Sequence, residues 1–382
     1  DGAPSATHAT HATYPGGRWR DMPALYGRTW TREELLRYTG AMDQIAGVTA
    51  SRLDGGRADG VRALDFRCGD GLRFAVLPDL CLDIPHLEYR GVPLVWSSRN
   101  GVVGPQFYEP HGSEWLRSFF GGLLTTCGLT QVGQPCDDDG EHLGLHGRIG
   151  NTPAQNVAAG AAWEGDDYVL SASGTMRESK VYGENLTLTR RIWVRMGERT
   201  IHLHDQVENQ GNSPSPLMIL YHCNAGFPLL GPGARLIVAD ERIAAKDEHS
   251  RQGLPEHTSF AAPQEGWSEQ NFWHTVKPDA EGWCRAATVN EALDLPFGRG
   301  LGLAVCWRKE QLWNMVQWKQ IGIGDYVAAM EPANCHTLGR VKERELGTLQ
   351  HIAPGEVREF DVEFSVLVGS DEIRAFEATQ PA

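Results

Sequence analysis

Short runs that alternate apolar and polar residues constrain this chain more than any other feature. Thr200-Ile201-His202-Leu203-His204-Asp205-Gln206-Val207-Glu208-Asn209 follows a period of two, as a strand with one buried face requires. Leu186–Val194 precedes it across a turn at Met196-Gly197-Glu198, and Val61–Arg67 leads through Gly69-Asp70-Gly71 into Leu72–Leu77. Leu301–Trp307 and Val357–Val366 continue the series. Strands recur at short intervals with no helical period between them, which predicts an antiparallel, mostly β sandwich or barrel. No fixed repeat appears, which disfavours a propeller. One short helix is expected near the start. Thr31 is its N-cap, Glu34 completes a capping box, and Gly40 marks its end.

The chain has 382 residues, enough for more than one domain, but large β-sandwiches exceed that prior. Residues 1–24, rich in Ala, Thr, His and Gly, read as a tail, and 25–375 as a single domain. Lys and Arg number 35 against 49 Asp and Glu, a net charge of -14. An acidic chain without a basic stripe is a poor partner for nucleic acid or anionic membrane. No apolar run is long enough to span a bilayer, and the first residues lack the charged and apolar regions of a signal peptide. The eight cysteines form no Cys-x-x-Cys pair, so reduced, buried thiols and a cytoplasmic location are expected.

Three apolar segments carry polar residues that demand an explanation. In Leu220-Tyr221-His222-Cys223-Asn224-Ala225, an extended backbone puts His222 and Asn224 on one face, and both must be satisfied if buried. In Leu143-Gly144-Leu145-His146-Gly147-Arg148, the glycines permit close approach or unusual φ/ψ, and Arg148 can donate to hydroxyls beside His146. Glu331, after Tyr326-Val327-Ala328-Ala329-Met330, is paired, protonated or functional if buried; otherwise it reaches solvent before Pro332. Each histidine has a plain alternative, a satisfied core imidazole or a structural loop. Gln317 and Lys319 share a strand face opposite Trp318 and either line a polar cleft or form a solvated edge. Asp79 and Asp83 either bind hydroxyls or cap loops. The glycine-rich, aromatic stretch Trp115–Leu129 is expected as buried strand or tight loop beside the site. Dinucleotide and phosphate loops, a nucleophile elbow and His-Glu-x-x-His are all absent.

These segments resemble the galactose mutarotase-like (aldose 1-epimerase) superfamily. The branch most similar is domain of unknown function 4432, over most of residues 25–370. The motifs are Leu-Pro-Asp at 77–79 with Asp83, Phe-Phe-Gly-Gly-Leu-Leu-Thr-Thr-Cys-Gly-Leu at 119–129 and Gly-Leu-His-Gly-Arg at 144–148. Leu-Tyr-His-Cys-Asn at 220–224, Gln-Trp-Lys at 317–319, Gly-Asp-Tyr-Val at 324–327 and Glu331-Pro332 complete the set. The chain departs from mutarotases in lacking an Asn-Arg stretch ahead of His146, and Leu80-Cys81 stands where the branch has Arg-Gly. The resemblance implies an antiparallel twisted β-supersandwich with an open cleft. It implies that His146 steadies a sugar, that His222 is the general acid toward the ring oxygen, and that Glu331 is the base at the anomeric hydroxyl. Arg148, Asn224, Gln317, Lys319 and Asp83 are the expected substrate contacts.

Opening a hemiacetal needs one base and one acid flanking the ring, with no cofactor and no covalent intermediate. A carbohydrate isomerase acting on a small sugar is therefore the leading expectation. Two other readings stand beside it. One is a metal-dependent epimerase or lyase acting on a keto-sugar or glycoside, with His146, His222 and Glu331 as ligands to a divalent ion. The other is a sugar-binding protein without turnover, for which the 12 tryptophans offer stacking surfaces, although most will be packing residues. Neither the particular sugar nor the oligomeric state follows from the residues.

Overall fold

A computed structural model describes residues 25–381; the expected tail at 1–24 lies outside the described residues. The chain is mostly β, and its sheets are antiparallel. A five-stranded meander comes first, with Gly47–Arg52, Arg62–Arg67, Leu72–Leu77, Asp83–Tyr89 and Val92–Pro93 paired in chain order. An eight-stranded sheet runs Ala234–Val238, Trp283–Leu295, Gly298–Arg308, Val357–Val368, Thr200–Asn209, Asn185–Arg195, Asp167–Ser179, Gln155–Glu164. A seven-stranded sheet runs Asp240–Ala245, Gln270–Val276, Asn314–Gly322, Asp325–Ala333, Ser215–Ala225, Gln350–Ile352. Its remaining strand, Thr125–Leu129, pairs with residues 218–222 of Ser215–Ala225, while Gln350–Ile352 pairs with residues 215–217. This is the expected sandwich.

The expected helix forms at Arg32–Leu36, with Thr31 and Glu34 making both bonds of the capping box. It stops before Gly40, because past its capped first turn it buries little beyond Leu35. Three further α-helices, Glu248–Gln252, Arg340–Leu346 and Ser370–Ala378, were not foreseen. The last buries Ile373 and Phe376 against the eight-stranded sheet. The cysteines are free thiols and mostly buried.

Burial follows the period of two and sorts the Ser215–Ala225 strand into two environments. Leu217, Ile219, Tyr221 and Cys223 join the main core between the sheets. Met218 and Leu220 join a smaller cluster on the opposite face with Trp115, Phe119, Leu145 and Val316. His222 and Asn224 continue that second row, so the fold places them outside the main core, at an aromatic-lined hollow.

Candidate active site

The hollow is built on one rung of the seven-stranded sheet. Trp273 stands across from Val316, Val316 from Glu331, and His222 from Thr125. Between the Glu331 and His222 strands, Leu220 faces Ala333 and Cys223 faces Met330, a register that sets His222 directly opposite Glu331. Their side chains approach to 3.3 Å between His222 Nε2 and Glu331 Oε1.

His146 arrives from outside the strands. The loop after Glu141–Leu143 folds over Thr125–Leu129, where the backbone N–H of Gly128 donates to the carbonyl of His146, and that of Arg148 to Gly128. His146 itself takes φ 58°, left-handed for a residue with a side chain. Gly147, at φ 72°, lies so close to neighbouring backbone that a Cβ would sit 2.3 Å from the Gly128 oxygen and 2.5 Å from the Gln131 oxygen. The His146 imidazole is thereby held 6.0 Å, centroid to centroid, from that of His222. Gly147→Ala is expected to cost about 1–3 kcal/mol and to lower any activity of the site by moving His146. Denaturant unfolding and an assay on the same variant check this, and unchanged values in both would overturn the positioning role.

Aromatic rings line the hollow. Phe119 lies 5.0 Å from His222, Trp318 lies 5.5 Å from His222 and Trp115 lies 4.7 Å from His146. Trp96 and Trp318 meet edge to face, and Trp115 stacks on Phe119. Inside this wall, His146 Nδ1, His222 Nδ1 and Asn224 Oδ1 are buried polar atoms without a hydrogen-bond partner among the described residues, and Glu331 Oε1, though 3.3 Å from His222 Nε2, is not aligned to accept from it. Native proteins seldom leave such groups unpaired, so their concentration at one place makes this the candidate ligand site.

Burial sets the charges. It pushes the Glu331 carboxyl well above the usual carboxylate range, assisted by Glu269 and opposed by Lys246. It holds His222 well below the usual imidazole range, with His146 adding to the effect and Asn224 opposing it. His146 is pulled down to about 3 by burial and by Lys246. Both shifts favour the uncharged forms, a protonated Glu331 beside a neutral His222, which is a pair holding one proton.

Not every predicted contact comes together here. His146, His222, Glu331 and Asn224 converge, and Arg148 lies exposed two residues beyond His146. Gln317 and Lys319 lie on the other face of the sheet, because alternation gives the hollow to Val316 and Trp318. There Gln317 donates to the His257 carbonyl and Lys319 Nζ to the Glu256 carbonyl. Asp83 lies fully buried in the core, accepting from Thr126 N, Thr126 Oγ1 and Arg190, out of reach of a sugar. Three residues of the hollow went unrecognised in the sequence. Glu269 accepts from the Trp318 indole at 2.7 Å and from Asn271 at 3.4 Å, and the Lys246 charge acts on both His146 and Glu331. Asn271 shares a face with Trp273 and was legible by alternation once that strand was placed. The short Gln270–Val276 strand gave no sign of its sidedness.

The donor set fits a metal poorly at this position. Among the described residues, three donor atoms within 4.8 Å of one another occur at Asp240, His257 and His274, and not at His146, His222 and Glu331.

The fold matches that of a candidate aldose 1-epimerase from Klebsiella pneumoniae subsp. pneumoniae at TM-score 0.83 and 26% identity, over 88% of this chain and 89% of that one. A galactose mutarotase-like protein from Clostridium acetobutylicum shares the fold at TM-score 0.52 and 13% identity, covering 85% of this chain and 99% of that one. A galactose 1-epimerase from Lactobacillus acidophilus does so at 0.50 and 12%, covering 84% and 99%. No curated protein matches the chain in sequence. No helix among the described residues is long and apolar enough to cross a membrane. Residues 58–366 match the profile of the domain of unknown function DUF4432, and the chain belongs to that family, on a galactose mutarotase-like fold.

Proposed function

We propose that the chain interconverts the anomers of a free sugar, with His222 and Glu331 as its proton-transfer pair. The observation that carries this reading is their 3.3 Å approach inside an aromatic hollow that also holds unpaired polar atoms. Ring opening removes a proton from the anomeric hydroxyl and delivers one to the ring oxygen. A pair sharing one proton supplies both halves, since whichever partner holds the proton is the acid and the other the base. With a sugar bound, the shared proton passes from Glu331 to His222; Glu331 then takes the anomeric proton and His222 protonates the ring oxygen. Rotation about the C1–C2 bond and the reverse transfers give the other anomer. His146 and Asn224 orient hydroxyls through their unpaired Nδ1 and Oδ1 atoms, Arg148 contacts the sugar at the rim, and Trp318 offers an apolar face to the ring.

Polarimetry or NMR exchange with a panel of aldoses tests the proposal. Exchange faster than the buffer rate with at least one aldose is expected, lost in His222→Gln; no acceleration with any of them removes the proposal. Sugar binding without turnover would instead support a binding protein. The pH profile is a second check. Because the singly protonated pair is the competent form, activity should fall when a second proton enters in acid and when the shared proton leaves in alkali. A rate that does not change with pH would overturn the shared-proton reading.

A further inference from the structure

A second cluster of metal-type donors occupies the opposite face of the same sheet. His274 lies on Gln270–Val276 beside Trp273 but points away from the hollow and is fully buried. Its Nδ1 is 3.0 Å from both carboxylate oxygens of Asp240, at the start of Asp240–Ala245. Its Nε2 is 3.1 Å from Gln317 Oε1.

One ring nitrogen in this cluster, His257 Nε2, has no hydrogen-bond partner among the described residues. Gln317 spends its N–H on the His257 carbonyl at 2.7 Å, so the oxygen of its amide must be the atom turned to His274. An amide oxygen only accepts, and His274 Nε2 therefore carries a proton. His274 Nδ1, 3.0 Å from both Asp240 oxygens, is held there either by a second ring proton or by a cation between the two groups. His257 supplies the nitrogen that has no partner. Its Nδ1 faces the Leu254 carbonyl at 3.1 Å and must donate there, which leaves Nε2 as a lone pair. That Nε2 is buried and has no partner among the described residues. One donor atom each from Asp240, His257 and His274 lies within 4.8 Å of the other two.

We propose that Asp240, His257 and His274 bind a divalent first-row transition ion of the zinc class, at a site separate from the sugar hollow. Two imidazoles and one carboxylate suit such an ion, whereas calcium or magnesium would call for oxygen donors throughout. Gln317 is the outer partner that fixes the His274 tautomer, the role a hydrogen-bonded second group plays around metal-bound histidines. This assigns Gln317 a task that its distance from the hollow otherwise leaves unexplained. The bound ion ties the turn at Leu254–His257 and the edge strand Asp240–Ala245 to Gln270–Val276. Asp240 and His257 are half-buried, which leaves the ion a route in.

The test uses tag-free full-length protein, stripped with a chelator and titrated with zinc alone by calorimetry. One equivalent should bind, and His257→Gln and Asp240→Asn should each weaken binding by about tenfold or more. Far-UV circular dichroism and melting of the metal-free variants confirm that they fold. Cobalt substitution gives an independent readout, a visible d–d spectrum in the native protein that His257→Gln abolishes. Absence of stoichiometric zinc binding overturns the assignment. So does binding unaffected by either substitution, and so does binding abolished by His222→Gln instead, which would locate the ion in the hollow.

Discussion

Glu331→Gln is expected to slow anomer exchange by about 10²–10⁴-fold while raising the stability of the folded protein at alkaline pH. The two effects have one cause. The carboxyl is buried beside His222, and its value in the fold lies well above its unfolded value of 4.5. A group raised in this way stabilises the fold fully below 4.5, and that contribution is lost as pH rises toward the folded value. Glutamine keeps the shape and cannot ionise. Its advantage over the native residue therefore grows above the carboxylate range, by up to about 1.4 kcal/mol for each pH unit. Melting temperatures of both proteins at about pH 5 and pH 8 measure the difference. Parallel pH dependence would show Glu331 ionising at its ordinary value and remove its claim to be a tuned catalytic base. Full activity in a folded variant would remove the proposed mechanism.

The largest purely structural loss is expected at Arg190. Its guanidinium is fully buried, with Nε and Nη2 gripping Asp205 at 2.8 and 2.7 Å and Nη1 on Asp83 at 2.8 Å. Tyr221 donates to Asp205 at 2.8 Å, and Thr126 N and Oγ1 donate to Asp83 at 2.7 and 2.6 Å. Arg190→Met leaves two carboxyl groups in the core without their cation, and a cost of about 3–5 kcal/mol follows. Burial already outweighs Arg190 at Asp83, lifting its carboxyl from 3.8 to about 7. Stability tied to that raised group is present below 3.8 and lost as pH climbs through about 7, so the deficit should be deeper at alkaline pH. Adding Asp83→Asn and Asp205→Asn to Arg190→Met should restore most of the loss, since a neutral cluster of similar volume has no unpaired charge. Urea unfolding of the single and triple variants separates the terms. A single variant as stable as the native chain would mean that water reaches the cluster.

The same cluster shows how far residues can be read in order. In Thr200–Asn209 the alternation that buries Ile201, Leu203 and Val207 also buries Asp205. The row was visible, but its partner lies in a neighbouring strand and Asp83 on a different sheet. Asp83 was accordingly expected at a sugar and is instead a core ion. The capping box at Thr31 and Glu34 was legible because its bonds span three residues. Lys246 and Glu269 left no trace, because neither belongs to a pattern: Lys246 acts on the hollow through its charge, and Glu269 through its charge and its bond to the Trp318 indole.

Extended backbone, with successive side chains on opposite sides, settles which residues travel together: His222 with Asn224, Gln317 with Lys319, Trp318 with Val316. It is symmetric between the two sides, however, and nothing local says which side will be walled by Phe119 and crossed by the His146 loop. That choice is made by long-range packing. One sheet face closes against the eight-stranded sheet and becomes core, while the other is left for the aromatic hollow. Hence His222 and Glu331 meet across a strand register far from one another in the chain, while Gln317, two positions along the alternation from nothing unusual, turns toward Asp240, His257 and His274 instead.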